Sequence, residues 1–173
     1  MSSLWNNIIE FWDKKQGLTI NTLSKEATHE ELSLLESYIG HRFPETFKSV
    51  YKTHNGCDEY IIYPHPSRLL STEEILNQWN YLNQIFSNDL DKESEFDEVN
   101  NSKEVKHVKW NKNWIPFTLC TRGRDCYCLD FDPARYGNKG QIIFFSIDLG
   151  DRKFVASSFK QWIGDMCSII NTN

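Results

Sequence analysis

Residues 114–163 read WIPFTLCTRGRDCYCLDFDPARYGNKGQIIFFSIDLGDRKFVASSFKQWI. Apolar residues fall there in runs of strand length, and charged or Gly-containing turns separate them. WIPFTLC, CYCLDF, GQIIFFSID and KFVA are expected strands, and SSFKQWIGDM opens a closing helix. Residues 115–121 alternate imperfectly, as one interior strand would. Cys126, Cys128 and Asp130 are expected on one side of their strand, with Tyr127, Leu129 and Phe131 on the other, because successive side chains alternate. Arg122 and Arg124 flank Gly123 at a turn tip. Ser157 or Ser158 caps the last helix, with Gln161 three residues after Ser158. Phe159, Trp162, Ile163, Met166 and Ile170 bury its inner face.

Upstream, the spacing predicts helices. Leu4, Ile8, Phe11 and Trp12 form one apolar stripe over residues 3–15, widened by Trp5 and Ile9. Gly17 ends that helix. Thr28 and Glu31 make a capping box, in which each side chain satisfies a first-turn N–H of the other residue. Leu32, Leu35 and Ile39 line the helix that follows, and Gly40 is its left-handed cap. Pro44 opens a third helix, where its missing N–H costs nothing. Phe47, Val50, Tyr51 and His54 are its inner stripe, and Asn55-Gly56 stops it. EYIIY, residues 59–63, reads as a short strand, and Pro64-His65-Pro66 as a bend. Ser71 and Glu74 form a second capping box, and Ile75, Trp79, Leu82 and Phe86 carry the apolar face of that helix. The architecture expected is α+β: one domain spanning 1–173, with a core over about 28–165, a mostly antiparallel sheet and helices packed around it.

Composition narrows the function. The 173 residues have a formal net charge of −5, which argues against nucleic acid or an anionic membrane as a direct partner and is compatible with a basic protein. The amino terminus, MSSLWNNIIEFWDKK, has no basic start and no clean apolar run, so it is not read as a signal peptide. No stretch approaches the roughly 20 apolar residues of a membrane span. Cys57, Cys120, Cys126, Cys128 and Cys167 include no CxxC pair. They are read as buried free thiols of a reducing cytoplasm.

Residues 88–113 change character. Six acids (Asp89, Asp91, Glu93, Glu95, Asp97, Glu98) and one base, Lys92, lie between 89 and 98, and Lys103, Lys106, Lys109 and Lys112 follow. This charged insertion is either a solvated loop or an interaction loop.

Catalytic patterns are missing. There is no Gly-rich phosphate loop and no nucleophile elbow. HEELS, residues 29–33, begins like a zinc-protease helix but lacks the second His. Asp125, Asp130 and Asp132 are the best carboxylate group. Asp130, an acid inside an apolar strand, needs a partner, for which Arg135 or Lys139 could serve. No cofactor and no metal is expected.

Several motifs occur in a recognisable order. They are Glu36-Ser-Tyr-Ile-Gly40, Phe43-Pro44-Glu-Thr-Phe47, Tyr51 and His54-Asn55-Gly56. Further on come Trp114-Ile-Pro116, Gly123-Arg-Asp125 with Cys128-Leu-Asp130, Gly140-Gln-Ile142, and Ser158-Phe159-Lys-Gln-Trp162-Ile163. Together they resemble the SUKH superfamily of Smi/Knr-type domains over about residues 28–165. The resemblance implies an α+β fold that works by binding and without catalysis. Bacterial members are largely immunity proteins that neutralise a cognate toxin, often a nuclease, and fungal members act as regulatory scaffolds. The expectation is therefore a cytoplasmic immunity protein, monomeric, with a protein toxin as partner; the alternative is a scaffold in cell-wall or signalling control. Expected contacts are the six acids of 89–98, the turn arginines Arg122 and Arg124, and the aromatics Tyr60, Tyr63 and Tyr136.

Overall fold

The computed structural model describes residues 2–16, 23–92, 102–148 and 150–171. In chain order the elements are α1 (Ser2–Gln16), α2 (His29–Ile39), α3 (Glu45–Tyr51), β1 (Ser67–Leu69) and α4 (Thr72–Ile85). Then come β2 (Trp114–Pro116), β3 (Thr118–Cys120), β4 (Asp125–Asp130), β5 (Gln141–Ser146), β6 (Arg152–Ala156) and α5 (Phe159–Asn171). All strand pairs are antiparallel: β2-β4-β5-β6 form one sheet, and β1-β3 form a second. The chain is α+β, as the periodicity predicts.

Both expected capping boxes are present at Thr28–Glu31 and Ser71–Glu74, with both reciprocal bonds made. At α5 the Ser158 hydroxyl accepts from Gln161 N at 3.2 Å, but the Gln161 amide reaches back to Ser157 rather than Ser158. The buried face of α1 centres on Trp5, Ile8 and Trp12, with Leu4, Ile9 and Phe11 only partly covered. It is rotated toward Trp5 because the Trp5 indole donates to His54 Nδ1 at 3.1 Å. Gly17 and the stretch to residue 22 lie outside the described residues.

The inner strands β4 and β5 are covered on both faces, so successive side chains are buried in turn on either side. Tyr127, Leu129, Ile142 and Phe144 face a core shared with Trp5, Phe47, Phe159 and Trp162. Cys126, Cys128, Ile143 and Phe145 face a second core with Leu82, Val105, Trp110 and Trp114. The alternation expected along 126–130 is the one found. Ring pairs in the larger core are edge-on, as between Phe117 and Trp162 at 5.0 Å and 89°, or stacked, as between Phe47 and Tyr51 at 4.5 Å and 27°. Each such pair contributes about 0.5–1.5 kcal/mol beyond its area.

Two strand expectations are corrected. Residues 115–121 are not one strand. Pro116 has no N–H to extend a ladder, and the Thr118 hydroxyl takes the Tyr127 N–H at 2.8 Å in place of a backbone carbonyl. The chain therefore leaves β4 at Phe117 and pairs with β1 instead. Residues 59–63 supply only an isolated bridge, Ile62 to Ser67, and the strand itself follows the proline bend.

The insertion also differs from a solvated loop over its described second half. Val105, Trp110 and Asn111 are buried. Arg152 of β6 holds this segment down, donating from Nε to Val108 O at 2.8 Å and from its terminal nitrogens to Lys109 O and Gly150 O. Its guanidinium also lies 5.0 Å from the centre of the Phe145 ring. Residues 105–111 thus form the lid of the second core.

Candidate functional site

The motif residues serve the architecture. Glu36 accepts from Phe43 N at 2.7 Å and lies 3.5 Å from Lys48, which fixes the turn between α2 and α3. Gly40 caps α2 at φ 80°, and Pro44 stands at the N-cap of α3, one residue before its first turn. Asn55 clamps the start of α4 from both sides of its amide: Thr72 N donates to Oδ1 at 2.8 Å, and Nδ2 donates to Thr72 Oγ1 at 3.1 Å. Gly56 has φ 97°, and a Cβ there would sit 2.8 Å from Ser71 N, so only Gly fits. Gly140 N donates to Asp130 O at 2.6 Å. Trp114, Pro116, Phe159 and Trp162 are buried.

Asp130 is fully buried. Its partners are Gln141 Nε2 at 2.8 Å and Asp132 N at 2.9 Å, not Arg135 or Lys139. Gln141 also donates to Glu104 O and accepts from Asn138 N, so one amide ties strand, hairpin and lid together. Burial pushes Asp130 up to about 6, while the Asp132 and Gln141 bonds restrain the rise. The Trp114 indole N–H acts in the same direction without reaching hydrogen-bond geometry. Burial opposes ionisation of Asp132 too, but bonds from Lys106 at 2.6 Å and Asn111 at 2.8 Å hold it below its ordinary value. Asp125 stands at the other end of β4, about 16 Å away at 3.3 Å per residue. The three carboxylates therefore do not converge on a substrate.

All five cysteines are free thiols and buried. Burial raises Cys57 to about 11 and lifts Cys128 well above its ordinary value, and only a thiolate is nucleophilic. Cys126 and Cys128 sit side by side, Sγ to Sγ 3.6 Å, inside the second core. Among the described residues no group of three His, Cys, Asp or Glu could hold a metal ion.

The predicted contact residues fall into separate groups. Asp89 and Asp91 follow the end of α4. Asp89 lies 3.4 Å from Lys109 and 3.5 Å from Lys92, and Asp91 N donates to Trp110 O. The root of the acidic segment is thus stitched to the lid. Glu93, Glu95, Asp97 and Glu98 lie outside the described residues. Arg122 is exposed, and Arg124 pairs with Asp148 at 2.5 Å beside the β5–β6 turn. Lys109, Arg152 and Gly150 link this turn to Asp89. Tyr136 is 63% exposed but sits at the opposite end of β4, bonded through its backbone to Lys103 O. Tyr63 is half-buried and stacks on Trp12 at 5.3 Å, and Tyr60 is 38% exposed nearby in sequence.

Residues absent from the sequence expectation complete the end of α4. Tyr81 and Ile85 are 51% and 44% exposed, one helical turn apart, and Leu90 follows at 36%. The signal was present in the sequence: Tyr81 and Ile85 are apolar residues at i and i+4, off the stripe of Ile75 and Leu82. Tyr81 thus brings one exposed ring, and Ile85 and Leu90 aliphatic surface, to the segment where Asp89 pairs with Lys92 and Lys109.

No helix of the described residues is long and apolar enough to cross a membrane. Fold and side chains define an α+β domain whose shared polar residues hold its own turns and caps. The chain matches the model of the SMI1 / KNR4 family (SUKH-1) over residues 26–165, and it belongs to that family. No curated protein gives a significant match.

Proposed function

We propose that this chain is an immunity protein. It binds a cognate bacterial toxin in the cytoplasm and neutralises it by covering its working surface, without catalysis of its own. The observation that carries the reading is membership of the SUKH-1 family over residues 26–165. The charge gives the partner its character. Nuclease toxins need basic surfaces for phosphate, and an inhibitor of net charge −5 attracts such a surface and speeds encounter. The contact surface is the end of α4 with the acidic segment that follows it, from Tyr81 and Ile85 through Asp89 and Asp91 to Glu98. Tyr81, Ile85 and Leu90 supply anchors there, and the acids supply steering.

The test starts from tagged protein expressed in its native host, with mass spectrometry of what co-elutes at moderate salt. A large protein with a carboxy-terminal toxin domain is expected. Recovery of signalling or cell-wall proteins alone would favour the scaffold reading instead. With the toxin in hand, reversing Asp89, Asp91, Glu93 and Glu95 to Lys should slow association by about tenfold or more at low salt. Unchanged rate and affinity would remove this segment from the interface.

A further inference from the structure

A groove of about 180 Å³ runs between α2 and α4, away from the acidic segment. Leu34 and Tyr38 form one wall and Leu76 the other, with Leu35 buried beneath. The stripe that α2 uses internally is Leu32, Leu35 and Ile39. Leu34 and Tyr38 are a second apolar pair at i and i+4, yet they remain 58% and 62% exposed. Packing among the described residues does not account for them, and exposed apolar surface next to a concavity is characteristic of a binding groove. Among the described residues the charged groups that line it are Glu31 and Glu73, both acids. Glu31 is held by the cap at Thr28 N, so its charge is fixed in place, and Glu73 is exposed on the first turn of α4.

We propose that this groove docks a basic amphipathic helix of a protein partner. One aliphatic or aromatic side chain of that helix would fill the space between Leu34, Tyr38 and Leu76, with Lys or Arg one turn to either side facing Glu31 and Glu73. The volume suits one or two apolar side chains, and the acidic rim selects against an acidic helix and against a second copy of this chain, which would bring like charge. This rests on the reading that the chain acts by binding a protein, but not on that protein being a toxin.

The test uses the purified full chain and a designed peptide of Leu and Lys, about 14 residues long, amphipathic as a helix. Amide chemical shifts followed by NMR should move at Leu34, Tyr38, Thr72 and Leu76 and saturate. Leu34→Asp, at an exposed site that leaves the fold intact, should weaken binding about tenfold or more, and Glu73→Lys should weaken it less. A peptide of the same charge with Ser in place of Leu should not saturate. Four results would overturn the proposal: shifts spread over the surface, shifts centred on Asp89, equal binding of the Ser peptide, or a dimer in sedimentation that Leu34→Asp disrupts. Because no toxin is present, failure here leaves the immunity reading standing, and a failed toxin pull-down leaves the groove standing.

Discussion

Asp130 is a buried acid held above its ordinary value of 3.8, at about 6, chiefly by burial. Between those two values the folded chain keeps a proton that the unfolded chain has released. Stability from this group therefore falls as pH rises from about 4 to about 6, and above that a constant cost on the order of 3 kcal/mol remains. Asp130→Asn should flatten that slope in urea denaturation measured across pH 4–6.5; an unchanged slope would place the titration elsewhere. Gln141→Leu should have the opposite effect. It removes a bond that favours the ionised form and takes from Asn138 N its side-chain acceptor, so the chain should lose about 2–4 kcal/mol at pH 7, with the pH-dependent loss extending above 6. His54 runs with the other sign. Burial lowers it from 6.5, so its contribution is complete above 6.5 and is lost as pH falls through the depressed value. Once Nδ1 is protonated it can no longer accept from the Trp5 indole. The Trp5 indole N–H resonance should shift on acidification below 6.5, and it should not do so in His54→Phe.

The start of α4 is held from outside the helix by Asn55 and closed by Gly56. Asn55→Ala leaves Thr72 N without its acceptor and should cost about 1–2 kcal/mol, read as a lower urea midpoint. Gly56→Ala should cost more, because the backbone is in the left-handed region and the added Cβ meets Ser71 N at 2.8 Å. Equal costs would mean that the turn yields easily. The helices were legible because capping boxes and 3.6-residue stripes are local signals. The Thr28–Glu31 and Ser71–Glu74 boxes form as read, and Gly40 caps as read. Strand boundaries were less legible, because pairing is decided by what lies opposite. Nothing within residues 115–121 announces that the Thr118 hydroxyl will take the Tyr127 N–H, and nothing in 59–63 announces that pairing will begin at Ser67. The lid was missed for the same reason. Its Lys-rich sequence looks solvated, and only the tertiary reach of Arg152 to the carbonyls of 108 and 109 shows otherwise. Arg152→Met should therefore release residues 105–111 selectively. Amide hydrogen exchange there should rise well before exchange in β4 and β5 does.

At the scale of the whole molecule, one sheet separates two apolar cores, and the polar motif residues close turns around it. That division is why the family is legible in the sequence. Caps, turn glycines and core aromatics follow from fixed geometry. A contact surface is set by the partner, which leaves no periodic trace. Charge draws attention to Asp89 and Arg124 in the sequence, and contacts through Lys109, Arg152 and Gly150 link Asp89 to the β5–β6 turn where Arg124 pairs with Asp148. Tyr81 and Ile85 were passed over because a helix is read first for the face it buries. Tyr60, Tyr63 and Tyr136 are alike in residue type alone: Tyr63 stacks on Trp12, whereas Tyr136 is tied through its backbone to Lys103. The measurement that tests the central claim most directly is survival. Cells expressing the toxin domain recovered with the tagged chain are grown with and without this protein. Growth should be restored by the wild-type chain, and protection should weaken when Asp89, Asp91, Glu93 and Glu95 are reversed to Lys. Growth arrest that persists while the wild-type chain is bound to the domain would contradict neutralisation by binding.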